Sequence, residues 1–242
     1  MVYDVSAHLN PGGHQFRGDD GAADPVVAAA LAAYLAGEGS EHAALTALSA
    51  ARLLVPVVAV ATDLPPGGAR DNHATAKNSK NSEMVLPTLI GRDGRPAVLA
   101  FTCLDALVRW RPQARPVPAE ADRVWRAAMA DGCAVIIDVA GPVPLAVEGA
   151  RLAALAAGRQ VPLPHQDPDV RDLVESALAG EPAVAGFSLA EGSAGGTDLA
   201  ITLRLGVADW RPVASRAAEN LASRLAGRMR RSVEIRVEAA SD

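Results

Sequence analysis

The stretch Met84-Val-Leu-Pro87-Thr-Leu-Ile-Gly91-Arg-Asp-Gly94-Arg95-Pro-Ala-Val-Leu-Ala-Phe101-Thr102-Cys103-Leu-Asp105-Ala-Leu-Val-Arg-Trp110 decides how the chain folds. Apolar residues 84–91 and 95–101 flank Gly91-Arg92-Asp93-Gly94, and glycine tolerates the positive φ that a tight turn demands. This predicts an antiparallel hairpin. Thr102, with Asp105 three residues on, has the form of a helix-capping pair. It predicts a helix with Leu104, Leu107 and Val108 on its face, extended by Trp110 and ended by Arg111-Pro112. Pro116-Val117-Pro118 then reads as an extended connector.

Upstream, Asp24-Pro25 pairs an N-cap with proline at the first helical position. Val26, Val27, Ala30, Leu31, Tyr34 and Leu35 follow at helical spacing, and Gly37 and Gly39 end the helix. Ser40 caps a second helix reaching residue 51. Residues 53–61 are almost continuously apolar, as in a strand covered on both faces. Residues 62–83 are polar, and they exceed the ~12–15 residues usual for a connection without structure. The expectation there is disorder or a lid.

Downstream, 119–131 reads as a helix closed by Gly132, 134–139 as a buried strand, and 149–157 as a helix. Prolines mark a linker at 159–166. Asp167-Pro168 repeats the capping device of Asp24-Pro25. Two strands (184–190 and 199–205), a long helix (212–229) and an alternating strand (232–238) complete the chain. The fold class expected is α/β to α+β: a mixed sheet packed with helices, then a smaller α-β-β-α-β unit. The organisation expected is a flexible tail at 1–23, a first domain at 24–158, the linker, a small C-terminal domain at 167–238, and a short tail at 239–242.

The 242 residues carry a net charge of −5. That balance argues against a nucleic-acid or anionic-membrane partner, which needs a basic face. Lysine occurs only as Lys77 and Lys80, and abundant Arg and Ala point to a high-GC coding bias. Cys103 and Cys133 match no zinc or redox spacing and read as reduced, half-buried thiols. The start of the sequence shows no basic and apolar leader, and the run at 53–61 is too short to span a bilayer. The expected location is cytoplasmic.

The search for chemistry finds no relay. His8 and His14 lie in the glycine-rich start, while His42, His73 and His165 stand alone. Ser188 lacks the strand-to-helix elbow of a nucleophile. The glycines at 192–196 lead into no helix, so a hairpin explains them better than a phosphate cradle. Arg224, Arg228, Arg230 and Arg231 read as complements to a helix C-terminus. Asp138 is the most informative carboxylate, because it ends a buried strand where α/β sheets gather ligands. Its bland alternative is to cap the Gly141 turn or to pair with an arginine.

The quoted stretch, its continuation Ala114-Arg-Pro-Val-Pro118, and the later Ile137-Asp-Val-Ala-Gly-Pro142 followed by Val147-Glu148-Gly149 resemble the SseB family, in an actinobacterial-type form. Cys103 stands where serine is usual. The resemblance covers residues 40–158, and the C-terminal part is similar only in layout. It implies no catalytic residues, no metal and no cofactor. The expectation is a non-catalytic protein-interaction or regulatory module with another protein as partner. The alternative is a small-molecule sensor or weak enzyme with a pocket near Asp138, Thr102 and Arg95. Candidate binding residues are Arg95, Thr102, Arg115, Asp138 and Glu148.

Overall fold

The computed structural model describes residues 16, 18–61, 82–91, 94–193, 197–207, 209–225, 228–229 and 232–239. His8, His14, His73, Arg230, Arg231, the hairpin tip at 92–93 and the polar stretch at 62–81 lie outside them.

The local devices near the start act as the sequence implies. Helix α1 (Pro25–Ala36) begins where the Asp24 carboxylate accepts the N–H groups of Val26 and Val27 at 2.8 and 3.3 Å. Helix α2 (Glu41–Leu48) begins where Ser40 Oγ accepts the N–H of Ala43 at 3.1 Å. Strand β1 (Arg52–Ala61) follows. Its first half is covered on both sides: Leu53 and Val55 join one apolar cluster, Leu54 and Val58 another. That double cover explains why the run is continuous rather than alternating.

The single strand expected over 84–91 is two. Strand β2 (Ser82–Val85) pairs antiparallel with β1, and β3 (Thr88–Ile90) pairs antiparallel with β4 (Pro96–Ala100). Pro87 sits in the break, with no N–H to give to a ladder. Helix α3 (Leu104–Trp110) is N-capped by Cys103 without a side-chain bond, so Thr102 is not its cap. Residues 115–120 are no connector either. They form β5 (Arg115–Glu120), antiparallel to β1. Proline fits there for a geometric reason. Leu54, opposite Pro118, donates its N–H to the Phe101 carbonyl on the other side and accepts the Phe101 N–H in return. The pairs Leu54–Pro118 and Pro56–Pro116 therefore exchange no ladder bonds, and the missing N–H groups cost nothing.

Helix α4 (Ala121–Ala130), β6 (Ala134–Ile137), β7 (Leu145–Val147) and α5 (Gly149–Ala156) complete the first part. The sheets run β2-β1-β5 and β3-β4-β6-β7, with β4 and β6 parallel, and the Leu54–Phe101 bridge joins them. Trp125, Leu45, Leu48, Leu53 and Val135 lie on the face covered by α1, α2, α4 and α5. Phe101, Leu99 and Leu107 lie on the α3 face.

After one 3-10 turn (Pro164–Gln166) come α6 (Pro168–Leu178), β8 (Val184–Glu191), β9 (Thr197–Leu205), α7 (Arg211–Leu225) and β10 (Ser232–Ala239). This is the α-β-β-α-β order read from the sequence. The strand order is β10-β9-β8, with β9 and β10 parallel. Val174, Leu199, Ile201, Leu203 and Leu221 form a separate buried cluster, while Val161 of the connecting segment belongs to the first.

Residues 19–22 depart from the tail expected over 1–23. Arg52 pairs with Asp19 at 2.8 Å and donates to the carbonyl of Ala22. The carbonyl of Gly21 accepts the N–H of Leu104 at 2.8 Å. Glycine and acid composition hid these anchors, because the partners lie 30 and more residues away.

Candidate functional site

Strands β4 and β6 run parallel, so their carboxyl ends lie side by side. Thr102 follows one and Asp138 the other. The backbone turns sharply at Asp138: its φ is +48°, in the left-handed region that Asp, Asn and Gly adopt most readily. Its N–H continues the ladder to the carbonyl of Ala100 at 3.0 Å, and its carbonyl accepts the N–H of Gly141 at 2.7 Å. A Cβ on Gly141 would stand 2.9 Å from that of Asp138, so the turn needs glycine.

That turn aims the Asp138 carboxylate inward. One oxygen accepts the N–H of Thr102 at 2.9 Å, and the other accepts its hydroxyl at 2.6 Å. Asp138 is only 5 % exposed. Burial pushes its carboxyl above the ordinary range, and the two Thr102 donors pull it part of the way back. The Thr102 carbonyl in turn accepts from Arg52 at 3.1 Å. Both carboxylate oxygens and every hydrogen-bonding group of Thr102 thus have a protein partner. The arrangement closes the end of the sheet.

Arg95 does not reach this place. It precedes β4, at the other end of the strand, and roughly 20 Å of extended chain separates it from Thr102. There it pairs with Glu148 at 2.9 Å. The pocket expected to gather Asp138, Thr102 and Arg95 is therefore absent, because the strand itself holds Arg95 away from the other two. Arg115 opens β5, exposed and opposite Val57, and joins neither group.

Arg95 and Glu148 instead border a cleft of about 350 Å³, together with Gly149, Asp169, Asp172, Leu173 and Arg228. This is where the first part meets α6. The N–H of Ala150 donates to Asp169 at 2.8 Å, so a carboxylate from α6 caps the start of α5. Gly149 permits it: its φ is +59°, and a Cβ there would lie 2.1 Å from that carboxylate.

Beneath the cleft lies a buried charge network that inspection of the sequence does not isolate. Arg151 pairs with Glu41, and Arg228 pairs with Asp167 at 2.6 Å. Arg228 is thus a partner of the α6 N-cap rather than a plain complement to a helix end. Burial pushes Glu41 up, against the attraction of Arg151. Glu41 and Arg151 stand 110 positions apart, and each looks like an ordinary surface charge on a helix.

Among the described residues, no group of three or more His, Cys, Asp or Glu is placed to hold a metal ion. Cys103 is half-buried. Cys133 is fully buried, and its burial raises the thiol. No helix among the described residues is long and apolar enough to cross a membrane.

A mixed α/β chain, with one closed and one open end to its central parallel pair, is the class this geometry defines. The chain belongs to the SseB family: the family model described as the SseB protein N-terminal domain matches residues 27–154, more than half its length. No curated protein and no solved structure matches the chain.

Proposed function

We propose that this SseB-family chain is a non-catalytic, protein-binding module. The observation that supports it most is the outer face of α3. Leu104 and Val108, one helical turn apart, are 37 % and 41 % exposed, while Ala106 and Leu107 face the core. Two outward apolar side chains on a short helix are the kind of anchor a partner covers. Asp105 and Arg109, the other exposed residues of α3, border that face, so the partner expected is a protein with an apolar surface rimmed by charges of both signs. The carboxylate best placed for chemistry, Asp138, is meanwhile engaged with Thr102.

The test compares wild type with a Leu104→Asp/Val108→Asp variant in crosslinking at native expression. One stoichiometric partner is expected with wild type and at least tenfold less with the variant, at unchanged thermal stability. Equal capture by both proteins would remove α3 from the account.

A second reading is favoured by the cleft holding Arg95 and Glu148: a sensor for a small polar molecule, placed there rather than at Asp138. A thermal-shift screen checks it. A ligand of this site raises Tm in wild type and loses that effect in Arg95→Ala, because only native-state binding stabilises. A shift of equal size in both would place the ligand elsewhere.

A further inference from the structure

Among the described residues, strand β10 is an edge of the C-terminal sheet, hydrogen-bonded to β9 on one side only. Its inner residues Val233, Ile235 and Val237 are only partly buried, although they pack on the C-terminal core. Beside them runs an apolar groove of about 220 Å³, walled by Leu221, Leu225 and Met229. Ala218 and Ala222 keep α7 low along that groove. The outer face of the same strand carries Glu234, Arg236 and Glu238. The other edge, β8, is interrupted by a register shift between Val184 and Gly186, whereas β10 is regular from Val233 onward. An open, regular edge beside an apolar groove is a template for another strand.

The sequence of β10 selects what that strand is. An antiparallel pair about a two-fold axis can be centred on any residue, but directly opposed side chains must share a face. Centring on Arg236 sets arginine against arginine and Glu234 against Glu238. Centring on Glu234 sets glutamate against glutamate. Centring on Val237 sets Arg236 opposite Glu238 twice but pairs only residues 235–239, with Ile235 opposite Ala239. Centring on Ile235 places Glu234 opposite Arg236 twice on the outer face and pairs the longer span 232–238. The same register sets Val233 opposite Val237, and Ile235 opposite itself, on the inner face. Opposite charges across strands stabilise and like charges do the reverse. We propose that β10 is a homodimerisation edge: two copies of this chain pair antiparallel through Ser232–Glu238, centred on Ile235, and join two three-stranded sheets into one of six strands.

The two-fold relation makes the surface self-complementary, as a closed dimer requires. Within one chain Arg236 already binds Glu234 at 2.9 Å, and Ser193 donates to the same carboxylate at 2.6 Å. In the dimer the two Glu234–Arg236 pairs come together as an alternating ring of four charges. The contact lies toward the small end of specific interfaces, so self-association is expected at roughly micromolar concentration.

Sedimentation equilibrium on the full chain tests this by charge exchange. Arg236→Glu leaves only acidic groups facing each other, and Glu234→Arg leaves only basic ones. Each variant, folded by circular dichroism, is expected to self-associate at least tenfold more weakly than wild type. Mixed together they are expected to form a heterodimer, because every opposed pair again has opposite sign. The double exchange Glu234→Arg/Arg236→Glu, which keeps the composition, is expected to dimerise as wild type does. A wild type that remains monomeric to millimolar concentration overturns the proposal. So do single variants that stay dimeric, or single variants that fail to associate when mixed.

Discussion

At the carboxyl end of β4 and β6 one carboxylate is sealed against Thr102. At the amino end of the same strands charged side chains stay wet and reach toward α6. Both ends hold acids that a sequence reading would put forward as site residues. What separates them is the direction the backbone gives each side chain. The left-handed turn at Asp138 points its carboxylate back into the sheet, whereas Glu148 leaves β7 extended and meets Arg95 at the rim. A strand-end acid in an α/β sheet is thus evidence of a site only once its oxygens are accounted for.

The largest effect expected at the open end comes from the network beneath it. Arg151→Ala leaves Glu41, whose side chain is 15 % exposed, without its ion-pair partner, and losing one member of a largely buried pair costs about 3–5 kcal/mol. Urea denaturation of the full chain measures this. Because Glu41 also loses the attraction that opposes its burial, its carboxyl rises further in the variant. A folded-state pKa raised above the unfolded one gives stability that is present at low pH and lost as pH climbs through the raised value. The variant should therefore be least impaired in acid. A loss below about 1 kcal/mol at neutral pH would show that solvent reaches Glu41 and that the network does not hold the junction.

At the closed end the expected losses depend on which property of Asp138 is removed. Asp138→Ala strains a left-handed residue by about 1–2 kcal/mol. It also deprives the Thr102 N–H of its acceptor, at about 1–3 kcal/mol. Asp138→Asn removes neither. Asparagine adopts the same φ, its oxygen accepts the Thr102 N–H, and its amide donates to the hydroxyl.

These two ends also show what the sequence discloses. Asp24-Pro25, Ser40 and Asp167-Pro168 are legible because cap and capped N–H groups lie within three residues of each other. Thr102 and Asp105 satisfy the same local rule, yet Thr102 bonds to a residue 36 positions away, and that contact replaces the cap. Pro116 and Pro118 read as a connector because proline spoils most strands. Only the pairing of Leu54 with Phe101 reveals that these positions require no ladder bond. The α-β-β-α-β order of the last part was legible from its periodicity, since α6 and α7 each bury one face and β10 alternates apolar and charged residues. Of the five candidate binding residues, the sequence places Thr102 and Asp138 each just beyond a strand, but neither the pairing of those strands nor the bond between the two side chains. Arg95 and Glu148 meet only because β7 folds back along β6.

The central claim, that Asp138 closes the sheet end through its left-handed backbone and its bonds to Thr102 and not through its charge, is tested most directly by comparing Asp138→Asn with wild type in urea denaturation across pH. Burial raises the folded-state carboxyl above its unfolded value, so the folded wild type binds its proton more tightly. Its stability must then fall as pH rises from the ordinary carboxylate range through the raised value. The variant has no such proton to lose. The account predicts near-equal stability in acid, and a variant at least as stable as wild type at neutral pH. A neutral-pH loss as large as that of Asp138→Ala would contradict it, because the charge itself would then be what position 138 requires.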